Sequence, residues 1–177
     1  MTTHPPVRAY LALGSNLDPQ RHIPLCLQRL RDLPLTSDWQ ESAWYLTRPW
    51  GGIAQPDFIN LVVGVTTQHS ALDLLAALQQ IEHDLNRVRE LKNGPRTIDI
   101  DVLLFGELVL DTLQLQVPHP GLLARDFMLL PLLEIAPAVR HPLDQRPLSQ
   151  LVEGIAHHQI LSRLTAPAAL PTVLIPK

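Results

Sequence analysis

The chain has a single cysteine among its 177 residues. No internal disulfide can staple it, and Cys26, set in an apolar helical pattern, reads as a small core side chain in a reducing compartment. No apolar run approaches the ~20 residues of a membrane span. The start, Met-Thr-Thr-His-Pro-Pro, lacks the charged stretch and apolar run of a secretory signal. A cytoplasmic protein is expected, without a membrane partner. There is no Gly-x-x-x-x-Gly-Lys-Ser/Thr loop, which excludes a P-loop enzyme. The histidines, including the pair His157 and His158, show no metal-ligand spacing. A net charge of −3 gives no global basic field for nucleic acid. Lysine is scarce: only Lys92 and Lys177 interrupt an otherwise arginine-based set of cations, a bias that suits bidentate phosphate recognition.

The length and a 46% hydrophobic content fit one domain with a full core. The expectation is a single domain over 1–177, with a catalytic core at about 7–155 and loose tails at 1–6 and 165–177. The seventeen prolines gather near segment ends, where they punctuate loops. Residues 7–13 read as a buried strand, followed by a Gly14-Ser15-Asn16 turn. Ile23, Leu27, Leu30 and Leu33 follow helical spacing up to Pro34. Strands are expected at 38–46 and 57–67, separated by a Pro- and Gly-rich loop from Thr47 to Pro56. Ser70 and Asp73 resemble a capping box. The stripe Leu74, Leu78, Ile81, Leu85 and Val88 predicts a second helix with Glu82, Asn86 and Arg89 together on another face. Strands at 97–105 and near 107–110, a helix around 127–135 and a short helix around 147–153 complete the reading. The order β-α-β-β-α-β predicts a ferredoxin-like α+β fold: an antiparallel sheet with helices on one face, the other face free for ligands, and a C-terminal extension.

The most informative run is Arg87 to Asp101, Arg-Val-Arg-Glu-Leu-Lys-Asn-Gly-Pro-Arg-Thr-Ile-Asp-Ile-Asp. In a strand, Asp99 and Asp101 share a face with Cα atoms roughly 6.5 Å apart. Two carboxylates that close repel unless a cation lies between them, and Mg²⁺ completed by phosphates suits the need. Ile98, Ile100, Val102 and Leu104 form the apolar partner face. Gly-Pro before Arg96 fixes a turn that delivers this arginine beside the carboxylates. A solvated edge strand behind a charged helix end would account for the same residues, so the run alone leaves both readings open.

Four patches in order decide between them: Leu-Gly-Ser-Asn-Leu at 13–17; Tyr45, Thr47, Pro49, Gly51, Gln55, Phe58 and Asn60; Arg87-x-Arg89 followed by Gly-Pro-Arg-Thr-Ile-Asp-Ile-Asp-Val-Leu-Leu-Phe-Gly; and Val-Pro-His-Pro at 117–120 with Arg125 and Phe127 downstream. Together they resemble 6-hydroxymethyl-7,8-dihydropterin pyrophosphokinase, a folate-biosynthesis family, over about residues 8–155. The resemblance implies transfer of pyrophosphate from ATP to the pterin hydroxymethyl group with release of AMP. It implies Asp99 and Asp101 as ligands of two Mg²⁺ ions, and Arg87 and Arg96 beside them in catalysis. Gln79, Glu82, Arg87, Arg89, Arg96, Val102, His119 and Arg125 would bind ATP. Thr47, Pro49, Trp50, Phe58, Asn60 and Phe127 would bind the pterin, the two phenyl rings sandwiching it and Asn60 bonding its edge.

One departure stands out. Asn93 occupies the position directly before Gly94 where the family usually carries an aromatic, so the 90–94 segment is expected to close differently over ATP. Two other functions compete with the pyrophosphokinase reading. An RNA-binding module shares the architecture, although carboxylates on the 97–105 strand would repel RNA; another Mg²⁺-dependent nucleotide transferase is the second. A monomer without nucleic-acid partners is expected.

Overall fold

The computed structural model describes residues 2–88 and 92–165. Its frame is β1 (Val7–Ser15), α1 (Pro19–Arg31), β2 (Thr36–Glu41), β3 (Trp44–Thr47), β4 (Phe58–Thr67), α2 (Ala71–Asp84) and β5 (Asp99–Phe105). The strands run antiparallel in the order β5-β1-β4-β3, with β2 also pairing to β4. This is the expected ferredoxin-like arrangement. Along β1, Ala9, Leu11 and Leu13 point to one face and pack with Ile23, Cys26 and Leu30 of α1 and Leu74, Leu78 and Ile81 of α2. Each fully buried aliphatic side chain there contributes about 1.5–3 kcal/mol by leaving water.

The opposite face is less open than expected. After a hairpin of β6 (Leu110–Asp111) and β7 (Gln116–Val117), the chain forms α3 (Asp126–Ile135), a 3-10 helix (Leu148–Gly154) and β8 (Ile160–Leu164). Met128, Leu129 and Leu132 of α3 and Leu148 cover Ala12, Val62 and Leu103 as a second core, while β8 extends the sheet beyond β3. The C-terminal extension therefore covers part of the ligand face and leaves one end of it exposed.

Several local expectations change. The strand expected at 38–46 is broken at Ser42–Ala43. Ser42 N still donates to Val62 O at 2.9 Å, but Ser42 Oγ, not the backbone carbonyl, accepts from Val62 N at 2.9 Å and donates to Ala43 O at 2.7 Å. Glu134 of α3 then receives Ala43 N at 2.7 Å and the Tyr45 hydroxyl at 2.5 Å. In β5, Val102 faces Leu11 and Leu104 faces Tyr10, so Leu103 is an extra, bulged residue. The bulge moves Leu104 out of the stripe of Ile98, Ile100 and Val102 and into the second core. The strand near 107–110 pairs instead over Leu110–Asp111 with Gln116–Val117, and the helix around 147–153 is 3-10.

The second helix starts as expected, with Ser70 accepting from Asp73 N at 3.1 Å, but it ends at Asp84. Asn86 adopts a φ of 60°, a left-handed conformation that asparagine tolerates and that terminates helices. Val88 is thus off the helix and exposed, and Asn86 cannot share a helical face with Glu82. Arg89, named in that face, lies outside the described residues, as does the tail beyond Thr165.

Candidate active site

The two strand carboxylates emerge where the second core stops. Ile100 and Val102 pack toward α1 and α2, so Asp99 and Asp101 face the other side, toward the uncovered end of the sheet. Asp99 is held by two arginines: Arg87 Nη1 donates to Oδ1 at 2.8 Å, and Arg96 Nη1 to Oδ2 at 2.7 Å. Each arginine is itself positioned. The turn at Asn86 swings Arg87 off α2 toward β5, and Glu82 Oε1 accepts from Arg87 at 2.5 Å and from Ile100 N at 2.7 Å. Glu82 is buried, so its carboxylate locks the helix end, the arginine and the strand into one ion-paired unit.

Arg96 is gripped through its backbone. Asn16 Oδ1 accepts from Arg96 N at 2.9 Å, while Asn16 N and Leu17 N donate to Arg96 O, both at 3.2 Å. Asn16 Nδ2 also donates to Gln55 Oε1 and Pro56 O, both at 3.0 Å. The turn after β1 therefore fixes both Arg96 and the long loop after β3. The Arg96 guanidinium carbon lies 5.4 Å from the Phe58 ring centre, a cation–π distance.

Asp101 has a different environment. Its nearest charged-type neighbour is His119, with Nε2 to Oδ1 at 3.8 Å. Burial among protein atoms, followed by the charges of Asp99 and Glu82, pushes its carboxyl up to about 7, against Arg87 and Arg125. Its side chain still keeps 37% of its surface accessible, within the clefts described below. His119 is placed by the bulge, its N–H donating to Leu103 O at 2.9 Å. Burial and then the Arg125 charge lower its pKa to about 4, so it is neutral at pH 7. Gly121 N donates to His119 Nδ1 at 2.9 Å, which makes Nδ1 the acceptor and leaves the proton on Nε2, facing Asp101.

Two clefts open on either side of the carboxylates. The larger, about 590 Å³, lies between α2 and the β5–β7 segment. Gln79, Glu82, Arg87, Val102 and His119 line it, with Leu72, Leu75 and Leu113 toward its apolar part. The smaller, about 80 Å³, lies between the β3–β4 loop and α3. Thr47, Trp50, Phe58, Asn60, Arg96, Arg125 and Phe127 line it. Among the described residues Asp99 and Asp101 alone line both clefts. Asn60 donates to Thr47 Oγ1 at 2.7 Å, and Gly14 across the ladder leaves its amide room. A Cβ at Gly14 would stand 2.5 Å from Asn60 Oδ1, a distance that any larger residue would have to relieve by displacing Asn60.

The expected site residues divide between these clefts, with four exceptions. Arg96, expected among the ATP contacts, lines the smaller cleft and reaches the shared edge through its bond to Asp99. Arg125, expected among the ATP contacts, lines the smaller cleft, its guanidinium carbon 5.4 Å from the Trp50 ring centre. Pro49 lines neither cleft. Arg89 is outside the described residues. Trp50 also meets His157 edge-on at 4.2 Å. Asn93 lines the smaller cleft, and its carbonyl accepts from Gln55 Nε2 at 2.7 Å. It has a φ of 59°, which asparagine adopts more readily than a bulky aromatic does. Asn16, Gln55 and Gln159 escaped sequence reasoning. The first two stood in the quoted patches but carry no charge or ring that announces a role. Gln159 stands in no patch.

The carboxylate pair suits a hard divalent cation such as Mg²⁺: two oxygen donors share one strand face, and Asp101 lacks a full counter-charge. Each Asp99 oxygen retains a second lone pair beside its arginine bond. Among the described residues no helix is long and apolar enough to cross a membrane.

Residues 10–137 match the sequence model of the 7,8-dihydro-6-hydroxymethylpterin-pyrophosphokinase (HPPK) family. A Pseudomonas aeruginosa protein named 2-amino-4-hydroxy-6-hydroxymethyldihydropteridine pyrophosphokinase is 47% identical over 146 residues, covering 82% of this chain and 90% of the relative. A Haemophilus influenzae protein of the same name is 36% identical over 156 residues, covering 88% and 97%. Among solved structures, Plasmodium falciparum HPPK-DHPS with pteroate is similar with a TM-score of 0.66 at 16% identity, covering 87% of this chain and 43% of that one. That likeness supports the fold, and the chain spans less than half of the larger protein. By the family match and by its identity to these relatives, the chain belongs to the 7,8-dihydro-6-hydroxymethylpterin-pyrophosphokinase family.

Proposed function

We propose that the chain transfers the terminal pyrophosphoryl group of ATP to the hydroxymethyl oxygen of 6-hydroxymethyl-7,8-dihydropterin. A bond forms between that oxygen and the β-phosphorus, the bridge to the α-phosphorus breaks, the hydroxyl proton is released, and AMP leaves. The observation that carries this reading is the pair of clefts sharing Asp99 and Asp101. The larger cleft, with Glu82 and Arg87 beside the carboxylates, suits a polyphosphate; the smaller adds rings and amides to its arginines and suits a flat heterocycle held next to the transferring phosphates.

In this reading the larger cleft takes ATP, with Gln79, Val102 and the apolar residues near Leu72 about the nucleoside and Arg87 on the phosphates. Asp99 and Asp101 would hold Mg²⁺, two ions in the full assignment. When bound, the metal neutralises phosphate charge and orients the triphosphate. Arg96, fixed by Asn16, supplies a rigid cation where charge develops. His119 offers a neutral N–H donor, and Arg125, on the acceptor side, meets the pyrophosphoryl group as it arrives. Phe58 and Phe127 present two faces to the pterin, Asn60 and Thr47 its edge contacts, and Trp50 its cover. We read the chain as a single catalytic domain, monomeric and cytoplasmic.

The test is to incubate the protein with ATP, Mg²⁺ and the hydroxymethyl-dihydropterin and to separate the nucleotides. AMP formed one-for-one with a diphosphorylated pterin supports the reading; ADP, or no nucleotide product, contradicts it.

A further inference from the structure

The smaller cleft is lined by one residue that these assignments leave unused and whose side chain carries a buried oxygen without a partner. Gln159, between the 3-10 helix and β8, lines this cleft and is 8% exposed. Its backbone N–H donates to Asp126 Oδ2 at 2.9 Å, at the start of α3. Its backbone carbonyl accepts from Arg48 N at 2.9 Å, in the loop after β3. Its side-chain Nε2 donates to Arg48 O at 3.2 Å. The last bond sets the sense of the amide: the nitrogen must meet the Arg48 carbonyl, so Oε1 is the atom left over. That Oε1 is buried without a hydrogen-bond partner among the described residues. Trp39 Nε1, Thr97 Oγ1 and Asp126 Oδ1 share this condition, but their residues line neither cleft.

An unpaired buried acceptor costs free energy that a donor would recover. The heterocycle proposed for this cleft is rich in donors. The aminopyrimidine edge of a 2-amino-4-oxo pteridine carries three N–H bonds, two on the exocyclic amine and one on the ring. Asn60 brings a single acceptor oxygen, its nitrogen being engaged by Thr47. One side-chain acceptor cannot satisfy an amine and a ring N–H together.

We propose that Gln159 is a specificity-determining residue whose Oε1 accepts an N–H of the exocyclic 2-amino group. The assignment rests on the reading of the smaller cleft as the pterin subsite. It gives the C-terminal extension a part in recognition beyond covering the sheet, because Gln159 is pinned at once to the β3–β4 loop and to α3. The oxygen is buried beside the cleft, so a ligand donor that reaches it as the cleft wall adjusts would meet it without solvent competition.

The experiment is calorimetry with two ligands, 6-hydroxymethylpterin and its analogue carrying methyl in place of the 2-amino group, on wild type and Gln159→Met. Methionine keeps the length and removes the acceptor. The expected result is that wild type prefers the amino ligand by roughly tenfold or more, and that Gln159→Met loses most of this preference by weakening the amino ligand alone. Gln159→Glu, which keeps an acceptor but loses the donor to Arg48, should retain the preference. Equal weakening of both ligands by Gln159→Met would overturn the assignment, since it would show a role only in holding the Arg48 loop. An unchanged preference would overturn it equally. If wild type binds neither ligand while still binding a nucleotide, the reading of the cleft itself falls, and the Gln159 assignment with it. Should Gln159→Met not fold, Gln159→Leu carries the same comparison.

Discussion

The two clefts are built from different kinds of interaction, although one strand supplies the floor where they meet. Around the larger, side chains are fixed by charge: Glu82 holds Arg87, and Arg87 holds Asp99. Around the smaller, apart from the Arg96–Asp99 ion pair at the shared edge, they are fixed by neutral hydrogen bonds and ring contacts: Asn60 on Thr47, Gln159 on Arg48, Trp50 on His157. Ion-paired side chains in a low-dielectric cleft are already oriented for a polyanion and need little rearrangement to receive it. Rings and amides recognise shape and edge pattern instead. Asp99 belongs to the first network through its two arginines, while Asp101 belongs to neither, and burial, followed by the charges of Asp99 and Glu82, pushes its carboxyl up to about 7.

Removing either carboxylate should break the link between the clefts and have the largest effect. Asp99→Ala and Asp101→Ala are each expected to lower Mg²⁺-dependent turnover by at least roughly 10³-fold, above the usual loss from one electrostatic stabiliser, with the fold retained by circular dichroism. For Asp101 a stability effect of opposite sign is expected in metal-free buffer. A carboxyl whose folded pKa is raised favours the fold below about pH 4, and that contribution is lost as pH rises through about 7. Asp101→Asn should therefore melt higher than wild type at pH 8 in EDTA and lose this advantage near pH 4. A flat difference across that range would show that Asp101 is not strained by its neighbours.

Arg96 touches both sides, bonded to Asp99 and placed over Phe58. Arg96→Ala should lower kcat by roughly 10²–10³-fold and the affinity for ATP much less; an effect confined to KM would make it a ground-state clamp. Lysine should rescue in part, because it keeps the charge and loses the planar fork.

Phe127→Ala should separate the clefts. Pterin binding is expected to weaken by about 1–3 kcal/mol for one lost stacking face, with binding of an ATP analogue unchanged. Calorimetry with each ligand alone decides it, and equal losses would tie the ring to α3 packing.

The smallest effect is expected at Asn93. Because it lines the smaller cleft at a φ of 59°, Asn93→Trp should strain the turn and change pterin affinity a few-fold, without restoring a tighter nucleotide site. Stopped-flow binding of each ligand reads the split, and an effect on ATP alone would return the residue to the nucleotide lid.

How far the sequence revealed this arrangement follows the same divide. Charge and period are legible along a chain, so Asp99, Asp101 and the strand that carries them, with Arg87 and Arg96 just ahead of it, could be singled out as one cluster, while their roles came only from the family resemblance. Termination and closure are not. The left-handed turn at Asn86 cut the helix short because backbone conformation overrode an apolar stripe that continued to Val88. The bulge at Leu103 shifted Leu104 between cores because register depends on the partner strand. The break at Ser42 relies on bonds to Val62 and on α3, distant in sequence. Arg125 was named through its patch, yet its cleft was set by where α3 docks. Gln159 had no signal at all: its significance is an unsatisfied atom, which exists only after folding.

The central claim is that a metal held by Asp99 and Asp101 lies at the junction of the clefts. The direct measurement replaces Mg²⁺ with paramagnetic Mn²⁺ in a complex with 6-hydroxymethylpterin and an ATP analogue whose α–β bridge is methylene, and records nuclear relaxation on both ligands. Broadening of the phosphorus signals together with the pterin hydroxymethyl protons, both abolished in Asp99→Ala, is predicted. Broadening of the phosphorus signals with the pterin protons untouched would place the metal away from the junction and contradict the account.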